Sequence, residues 1–138
     1  MAQRTPQKSI VLILARELAS KLATAMFVVD PEGTLVYFNE PAESILGQSF
    51  AEAGELARDR WGTEFNAEDA DGRPIPIHEL PLTMALTKHE PAYLRFRITG
   101  YDGVRREISV TACPLVASAG ESVGAVAIFW EEPGMSPA

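Results

Sequence analysis

The segment Val123–Trp130, near the end of this 138-residue chain, is apolar at almost every position. Successive side chains of a β-strand point to opposite faces, so this strand would present apolar groups on both sides of a sheet. One side would carry Ala125, Ala127 and Phe129, and the other Val126, Ile128 and Trp130. Such a strand needs cover on both faces and belongs in the middle of a sheet. The segment Ala25–Val29 has the same character and is predicted to be a second inner strand.

The remaining predicted strands either form hairpins or have one solvent-exposed face. The sequence Asp-Pro-Glu-Gly at 30–33 suits a type I turn and joins Ala25–Val29 to a strand at 34–38. Apolar and polar residues alternate strictly in Tyr93–Ile98, which is typical of a strand toward a sheet edge with one face in water. Residues 107–112 alternate in the same way after a Gly-Tyr-Asp-Gly turn, so they are predicted to pair with that strand.

A stretch without Gly or Pro, Lys8–Ala23, is predicted to form an N-terminal helix before the sheet. Its apolar residues recur at helical spacing: Ile10, Leu14, Leu18 and Leu22 form one row, which Val11 and Ala15 widen. Leu12 and Ile13 make the far side of its first half apolar as well. Two interpretations stay open. The helix buries one stripe on its own core, or the surplus apolar surface meets a second copy of the chain.

The middle of the chain is predicted to supply short helices. Asn39 is a good N-cap and Gly47 a natural helix stop, which predicts a helix at about 40–46. Residues 48–78 have weak periodicity and are expected to form short helical turns and loops, whereas residues 79–88 show helical spacing again. The predicted fold class is therefore α+β: a five-stranded antiparallel sheet with helices on one face and the N-terminal helix on the other.

Charge and cysteine content exclude several classes of function. The chain has 12 Lys and Arg against 19 Asp and Glu, a net charge of −7 that disfavours nucleic acid and anionic lipid as partners. The nearest candidate for a signal peptide or a membrane span, Ile10–Ala15, is too short for either. The single cysteine, Cys113, cannot form an intrachain disulfide and fits a reducing compartment. We expect a cytoplasmic protein without a membrane or nucleic-acid partner.

Several segments, taken in order, resemble those of a PAS domain, and the likeness covers roughly residues 20–132. The segments that carry it are the hairpin and its capping residue Ala25–Asn39, the helix and stop Ala42–Gly47, the helix entry Asp71–Pro76, the turn Tyr101–Gly103 before Arg106–Ile108, and the last strand Gly124–Phe129. The resemblance implies a bacterial sensory module that mediates signal transduction and protein interaction and is not an enzyme. It also implies homodimers through an N-terminal helix, and output to a signalling partner or a covalently linked effector domain.

These expectations divide the chain into three parts: a flanking and dimerisation helix at 1–23, a PAS-like sensory domain at 24–132 and a disordered tail at 133–138. The dimerisation surface is predicted from the apolar residues of the helix and of the outer face of the last strand. Its predicted members are Ile10, Val11, Leu14, Leu18, Leu22, Val126, Ile128 and Trp130. These sequence patterns do not identify the effector, the stimulus or the full length of the protein.

In the family that the sequence resembles, the middle helices and the sheet enclose a pocket that holds haem, flavin, a small metabolite or nothing. The residues predicted to face this space are Val28, Leu46, Trp61, Phe65, Leu82, Met84, Leu86, Phe96, Val110 and Phe129. Trp61 stands out because it is a large aromatic in an irregular segment, where its indole N–H needs a partner. The apolar lining predicts a small apolar ligand. The alternative is that these residues simply pack together as a core.

The sequence contains no constellation of catalytic residues. His78 and His89 are eleven residues apart at opposite ends of the predicted middle helix, so at most one could ligate a haem, and we expect no cofactor and no metal. Cys113 is predicted to point away from the pocket, which disfavours a flavin–thiol adduct. A haem- or flavin-bound sensor remains an alternative. A small α+β enzyme of the ketosteroid-isomerase kind is a second alternative, but its inward acid would have to be Glu107, which is predicted to pair with Arg95 and Arg97 on the wet face.

Overall fold

The computed structural model describes residues 6–117 and 120–132, with side chains from Ile10 onward. The predicted tail at 133–138 lies outside the described residues. The helices are α1 Pro6–Lys21, α2 Glu40–Leu46, α3 Phe50–Ala53, α4 Arg58–Glu64 and α5 Pro81–Lys88, with a 3-10 turn at Ile77–Glu79 before α5. The strands are β1 Ala25–Val29, β2 Leu35–Phe38, β3 Ala92–Thr99, β4 Arg105–Val116 and β5 Ser122–Glu131. No helix in the described ranges is long and apolar enough to cross a membrane.

In the part of the chain that the structure describes, five strands form one antiparallel sheet in the order β2-β1-β5-β4-β3. The strand that is apolar on both faces, β5, is at the centre, β1 lies next to it, and the alternating strand β3 is at one edge. This confirms the predicted α+β fold class and the predicted placement of the inner strands. The register brings Phe129 of β5 between Ala25 of β1 and Val110 of β4.

The inner face of the sheet is covered by the middle helices, as predicted. α2 lies against β1, and α5 lies across β3, β4 and β5. The small residue Ala85, fully buried on α5, belongs to the same apolar cluster as Phe96, Val110 and Phe129 of the sheet. The helix predicted at 79–88 divides into the 3-10 turn and α5 because Leu80 precedes a proline and adopts an extended backbone, with φ −74° and ψ 143°, so α5 begins at Pro81.

The opposite, outer face is covered by α1 over β1, β2 and β5. The residues of α1 in this contact are Leu12, Ala15, Ala19 and the following Leu22, against Met26, Val28 and Val126. Gly124 of β5 permits the tight packing of β5 on β1: its φ is +135°, and a Cβ there would lie 2.2 Å from the carbonyl oxygen of Val29. The helix therefore packs on its own sheet through small and medium residues.

The apolar row identified in the sequence points away from the sheet. Ile10, Leu14 and Leu18 are 53%, 60% and 54% exposed, while Val11 and Leu22 are half-buried. The interpretation in which this row packs on the chain's own core is therefore wrong for its three outermost members. The physical reason is that Ala15 and Ala19, which lie between Leu12 and Leu22 on the inner side, let the middle of the helix approach the sheet closely, whereas Leu14 or Leu18 at those positions would hold it away.

The outer face beyond α1 remains uncovered. Trp130 is 41% exposed and Tyr93 60% exposed, so the predicted cover of the outer face by the N-terminal helix does not extend to Trp130. Ile128 is half-buried at the edge of the α1 contact. The charged pair predicted on this face is present: Arg95 Nε lies 2.8 Å from a carboxylate oxygen of Glu107.

Asn39 connects three elements of the fold. Its side-chain oxygen accepts hydrogen bonds from the backbone N–H groups of Ala42 in α2, at 3.2 Å, and Met26 in β1, at 2.9 Å. Its amide nitrogen donates to the carbonyl oxygens of Ala19 in α1 and of Thr24, each at 2.9 Å. The side chain is buried. The predicted N-cap is thus confirmed, and the same residue also anchors α1 to the sheet.

Candidate ligand-binding cavity

A cavity of about 70 Å³ lies between the inner face of the sheet and the middle helices. α2, α4, α5 and the segment before α5 form one wall, and all strands except β2 contribute to the other. The lining residues are Phe27, Leu46, Trp61, Gly62, Phe65, Ala67, Leu80, Pro81, Leu82, Phe96, Ile98, Ile108, Val110, Ala127 and Phe129. None of them is charged, so the cavity can bind an apolar molecule but offers no counter-charge for an ion.

The structure brings most of the predicted pocket residues together. Those that line the cavity are Leu46, Trp61, Phe65, Leu82, Phe96, Val110 and Phe129. Val28 does not: it lies on the outer face under α1, and its neighbour Phe27 points inward instead. Leu86 packs in the core beside the cavity, and Met84 is half-buried on a flank of α5. Sequence reasoning also missed wall residues such as Ile98 and Ile108, although their alternation had placed them on the inner face.

Trp61 closes one side of the cavity and has a specific partner. Its indole Nε1 donates a 2.8 Å hydrogen bond to the carbonyl oxygen of Gly33 in the β1–β2 turn, and the side chain is buried. The next residue, Gly62, faces Ile77 so closely that a Cβ would lie 2.0 Å from the Ile77 Cδ1 atom. Because the one polar group of Trp61 is already satisfied, the indole presents only its apolar surface to the cavity.

Aromatic rings make the cavity wall continuous from the sheet to α4. Phe27 contacts Phe129 edge to face at 5.0 Å between ring centroids, and it contacts Phe65 at 6.4 Å. Phe65 in turn contacts Tyr101 edge to face at 5.4 Å. Burial raises the pKa of Tyr101, with the nearby Glu64 carboxylate acting in the same direction, so its phenol stays neutral. These contacts fix the shape of the cavity wall.

The cavity carries no group suited to catalysis or to a cofactor. His78 and His89 are both exposed and do not line it. Cys113 is on the outer face, where partial burial raises the pKa of its thiol. A flavin ring needs hydrogen-bonding partners for its carbonyl and N–H groups, and a haem needs an axial ligand, so the lining residues fit neither. Within the described residues, no three His, Cys, Asp or Glu side chains cluster as metal ligands.

The ketosteroid-isomerase alternative requires an acid that faces the cavity. Glu107 is the strand carboxylate that the sequence offered for this role, and it lies on the outer face in contact with Arg95. The lining contains no titratable side chain. The geometry therefore supplies no general base for proton abstraction.

A five-stranded antiparallel sheet that encloses an apolar cavity beneath short helices is the architecture of a small sensory domain. Residues 14–129 match the family model of the PAS fold, and the chain belongs to the PAS family. This confirms the resemblance seen in the sequence, and it makes the chain a member of a family that serves in signal transduction. No curated protein matches the chain closely enough to suggest a more specific identity.

Solved structures show the same fold at low sequence identity. The PAS domain of BvgS from Bordetella pertussis is 21% identical with a TM-score of 0.56, over 88% of this chain and 84% of that one. The PAS domain of an HTR-like protein from Haloarcula marismortui is 19% identical with a TM-score of 0.57, over 90% and 99%. A LOV protein from Rhodobacter sphaeroides is 15% identical with a TM-score of 0.67, over 97% and 71%. At these identities the likeness concerns the fold alone.

Proposed function

We propose that this protein is a non-enzymatic sensory module that binds a small apolar ligand in its cavity and acts as a homodimer. The observation that carries the proposal is the cavity itself, which is lined entirely by apolar residues and whose one nearby polar group, the Trp61 N–H, is bound to Gly33. A ligand bound there displaces no hydrogen bond, and it makes van der Waals contacts in space that the side chains leave open. Within the cell we place the module in the cytoplasm, where its single cysteine stays reduced.

The size of the cavity limits the ligand class. At about 70 Å³ the cavity is well below the several hundred Å³ of a site for a drug-sized molecule or a cofactor. A guest of the size of a single aromatic ring fits this range better than a fused-ring cofactor. Benzene, the smallest aromatic ring, is the probe for the first experiment; because an engineered apolar cavity that binds benzene is about 150 Å³, its binding here requires the cavity wall to give way.

Benzene is expected to raise the free energy of unfolding of the wild-type protein, by about 2–3 kcal/mol when its concentration is 100 times the dissociation constant. The substitution Leu82→Phe places a larger side chain in the cavity from α5, which fills part of it and should abolish this stabilisation. Met84→Phe is the matched control, because Met84 is on the same helix but does not line the cavity. The measurement is thermal unfolding with and without benzene. A wild-type protein that gains nothing, or equal losses in both variants, would contradict the proposed ligand site.

The proposed dimer uses the outward row of α1. Ile10, Ile13, Leu14 and Leu18 are each more than half exposed, and together they form an apolar strip on one side of the helix. Such strips on soluble domains mark interaction surfaces, and two copies of one helix row pair by a twofold axis that makes the contact self-complementary. Of the other residues predicted for this surface, Val126 is buried beneath α1 and is not available, whereas Trp130 remains accessible.

The double substitution Leu14→Glu and Leu18→Glu is expected to weaken dimerisation by about 100-fold or more, because it places charges where apolar contact is needed. Ala57→Glu combined with Ala70→Glu adds the same charge at exposed positions outside α1 and serves as the control. Sedimentation velocity over a concentration series measures the dissociation constants. A wild-type protein that stays monomeric, or a control as weakened as the test variant, would count against the interface.

A further inference from the structure

Strand β3 lies at an edge of the sheet, and its outward backbone groups are only partly paired. Arg97 exchanges two hydrogen bonds of 2.9 Å with Glu68, which lies beyond the edge. Residues two apart in a strand direct their backbone groups to the same side, so Tyr93 and Arg95 also point theirs outward. Within the described ranges, these backbone groups of Tyr93 and Arg95 have no hydrogen-bond partner. We call them the free edge.

The chain itself begins an added strand at this edge and then turns back. Glu68 forms an antiparallel bridge with β3. One residue later, the Asp69 carboxylate accepts hydrogen bonds from the backbone N–H groups of Asp71 and Arg73, each at 2.9 Å, and this turn reverses the chain. A Cβ added to Gly72 at the tip of the turn would meet no atom within 4 Å, so the tip stands in solvent. Among the described residues, none continues along the free edge, which leaves room for a strand from another protein.

The hairpin of β3 and β4 is basic, although the whole chain has a net charge of −7. Its charged residues, between positions 92 and 116, are Arg95, Arg97, Arg105 and Arg106 against Asp102 and Glu107. Arg95 binds Glu107, whereas the half-buried Arg97 forms no side-chain hydrogen bond or ion pair with any described residue. The surplus positive charge favours an acidic strand at this edge. It opposes the pairing of two copies through the same edge, because that pairing would bring like charges together.

We propose that the free edge binds an extended acidic segment of a partner protein as an additional antiparallel strand. The segment residues opposite Arg95 and Tyr93 exchange backbone hydrogen bonds with them. The residue opposite Arg95 is acidic, because it lies beside that guanidinium and within diagonal reach of Arg97. The next residue is apolar, since it lies beside Leu94, which is half-buried on the inner face. The residue opposite Tyr93 is aromatic or β-branched and packs on a ring that is 60% exposed.

An NMR titration of the nitrogen-15-labelled protein with the peptide acetyl-Thr-Glu-Val-Tyr-Thr-amide tests the proposal. At saturation, the amides of Tyr93 and Arg95 should exchange with solvent at least about tenfold more slowly, because they become hydrogen-bonded. The amide of Arg97, which is already bonded to Glu68, should keep its rate. N-methylation of the peptide Glu or Tyr, whose N–H groups face β3, should abolish binding. N-methylation of the peptide Val, whose N–H faces away, should leave binding unchanged and is the matched control.

Variants of the protein separate the contributions of backbone and charge. Tyr93→Pro removes an outward N–H that the sheet does not use, and it should weaken peptide binding by at least about tenfold. Tyr93→Ala keeps that N–H and should weaken binding by less than about fivefold, the effect of one cross-strand side-chain pair. Arg97→Glu should weaken binding by at least about tenfold, since it reverses the unpaired charge. Arg58→Glu makes the same change at an exposed position on α4, beside the β1–β2 turn, and should have no effect.

Three results would overturn the proposal. Equal binding of the three N-methylated peptides would show that charge alone attracts the peptide, without strand addition. A peptide that shifts no amide of β3 at about 10 mM would show that the free edge does not bind such a strand. Shifts at Tyr93 and Arg95 that depend on protein concentration without peptide would identify a second copy of the chain as the occupant. The benzene experiment does not involve this edge, so the ligand site and the free edge succeed or fail independently.

Discussion

Deletion of residues 1–20 is expected to lower the free energy of unfolding by at least about 4 kcal/mol, because α1 covers part of the core of the domain. The deletion exposes Met26, Val28 and Val126, all of which are buried under the helix. Each such side chain contributes about 1.5–3 kcal/mol when it is fully buried. The deletion also removes the Ala19 carbonyl that Asn39 binds. Urea denaturation measures the loss.

A variant that keeps the helix distinguishes the two faces of α1. The double substitution Leu14→Glu and Leu18→Glu changes only the outward row, so it should alter the stability of the monomer by less than about 1 kcal/mol while weakening the dimer. Trp130 is already exposed in the complete chain, so its fluorescence should be the same in the deleted protein. If the deletion cost as little as the double substitution, α1 would not be an integral layer of the fold.

Replacement of Asn39 by Ala is expected to cost about 3–5 kcal/mol, and Asn39 is the position at which a single substitution in this chain has the largest expected effect. The side chain makes four hydrogen bonds in a buried position, two as acceptor and two as donor. Alanine would leave the N–H groups of Met26 and Ala42 without their acceptor, and each buried polar group left unpaired costs about 1–3 kcal/mol.

Two further variants show which hydrogen bonds of Asn39 account for this loss of stability. Asn39→Asp keeps the acceptor for Met26 and Ala42 but sets a buried carboxylate oxygen against the Ala19 and Thr24 carbonyls, so at neutral pH it should cost at least as much as Asn39→Ala, and part of the loss should be recovered at acid pH, where the protonated carboxyl can donate. Ser49→Ala removes the exposed N-cap of α3, where the side chain accepts from Glu52 N–H alone, and should cost no more than about 1 kcal/mol. Equal losses in Asn39→Ala and Ser49→Ala would show that Asn39 acts as a helix cap and nothing more.

Much of the fold was predictable because strand periodicity is a local signal. The alternation in β3 and β4 and the unbroken apolar character of β5 fixed which strands are inner and which is the edge, since a side chain that follows an inward one must point outward. The cap at Asn39 and the stop at Gly47 bounded α2 in the same way, through backbone groups only a few residues away. These signals also placed most of the cavity wall, because inward positions on adjacent strands must face the same space.

Three features depend on contacts between elements that are distant in the sequence. Val28 and Phe27 are both apolar, so composition alone did not decide which faces the cavity; the side of the sheet that α1 occupies decided it. Trp61 needed a partner, and the β1–β2 turn, far away in the sequence, supplied Gly33. Ser109 belongs to the predicted wet face but is buried by side chains from two other strands and the residue after β5.

The sequence by itself determined the strands, the in-and-out pattern of β3 and β4 and the family, because each depends on neighbours along the chain. The tertiary structure decided which side of α1 is the inner one. A row of large apolar residues, Ile10, Leu14 and Leu18, has the stronger hydrophobic signal, yet the smaller Ala15 and Ala19 face the sheet. Close packing of a helix on a sheet depends on how near the two backbones can approach, and that distance is set by the shape of both surfaces together.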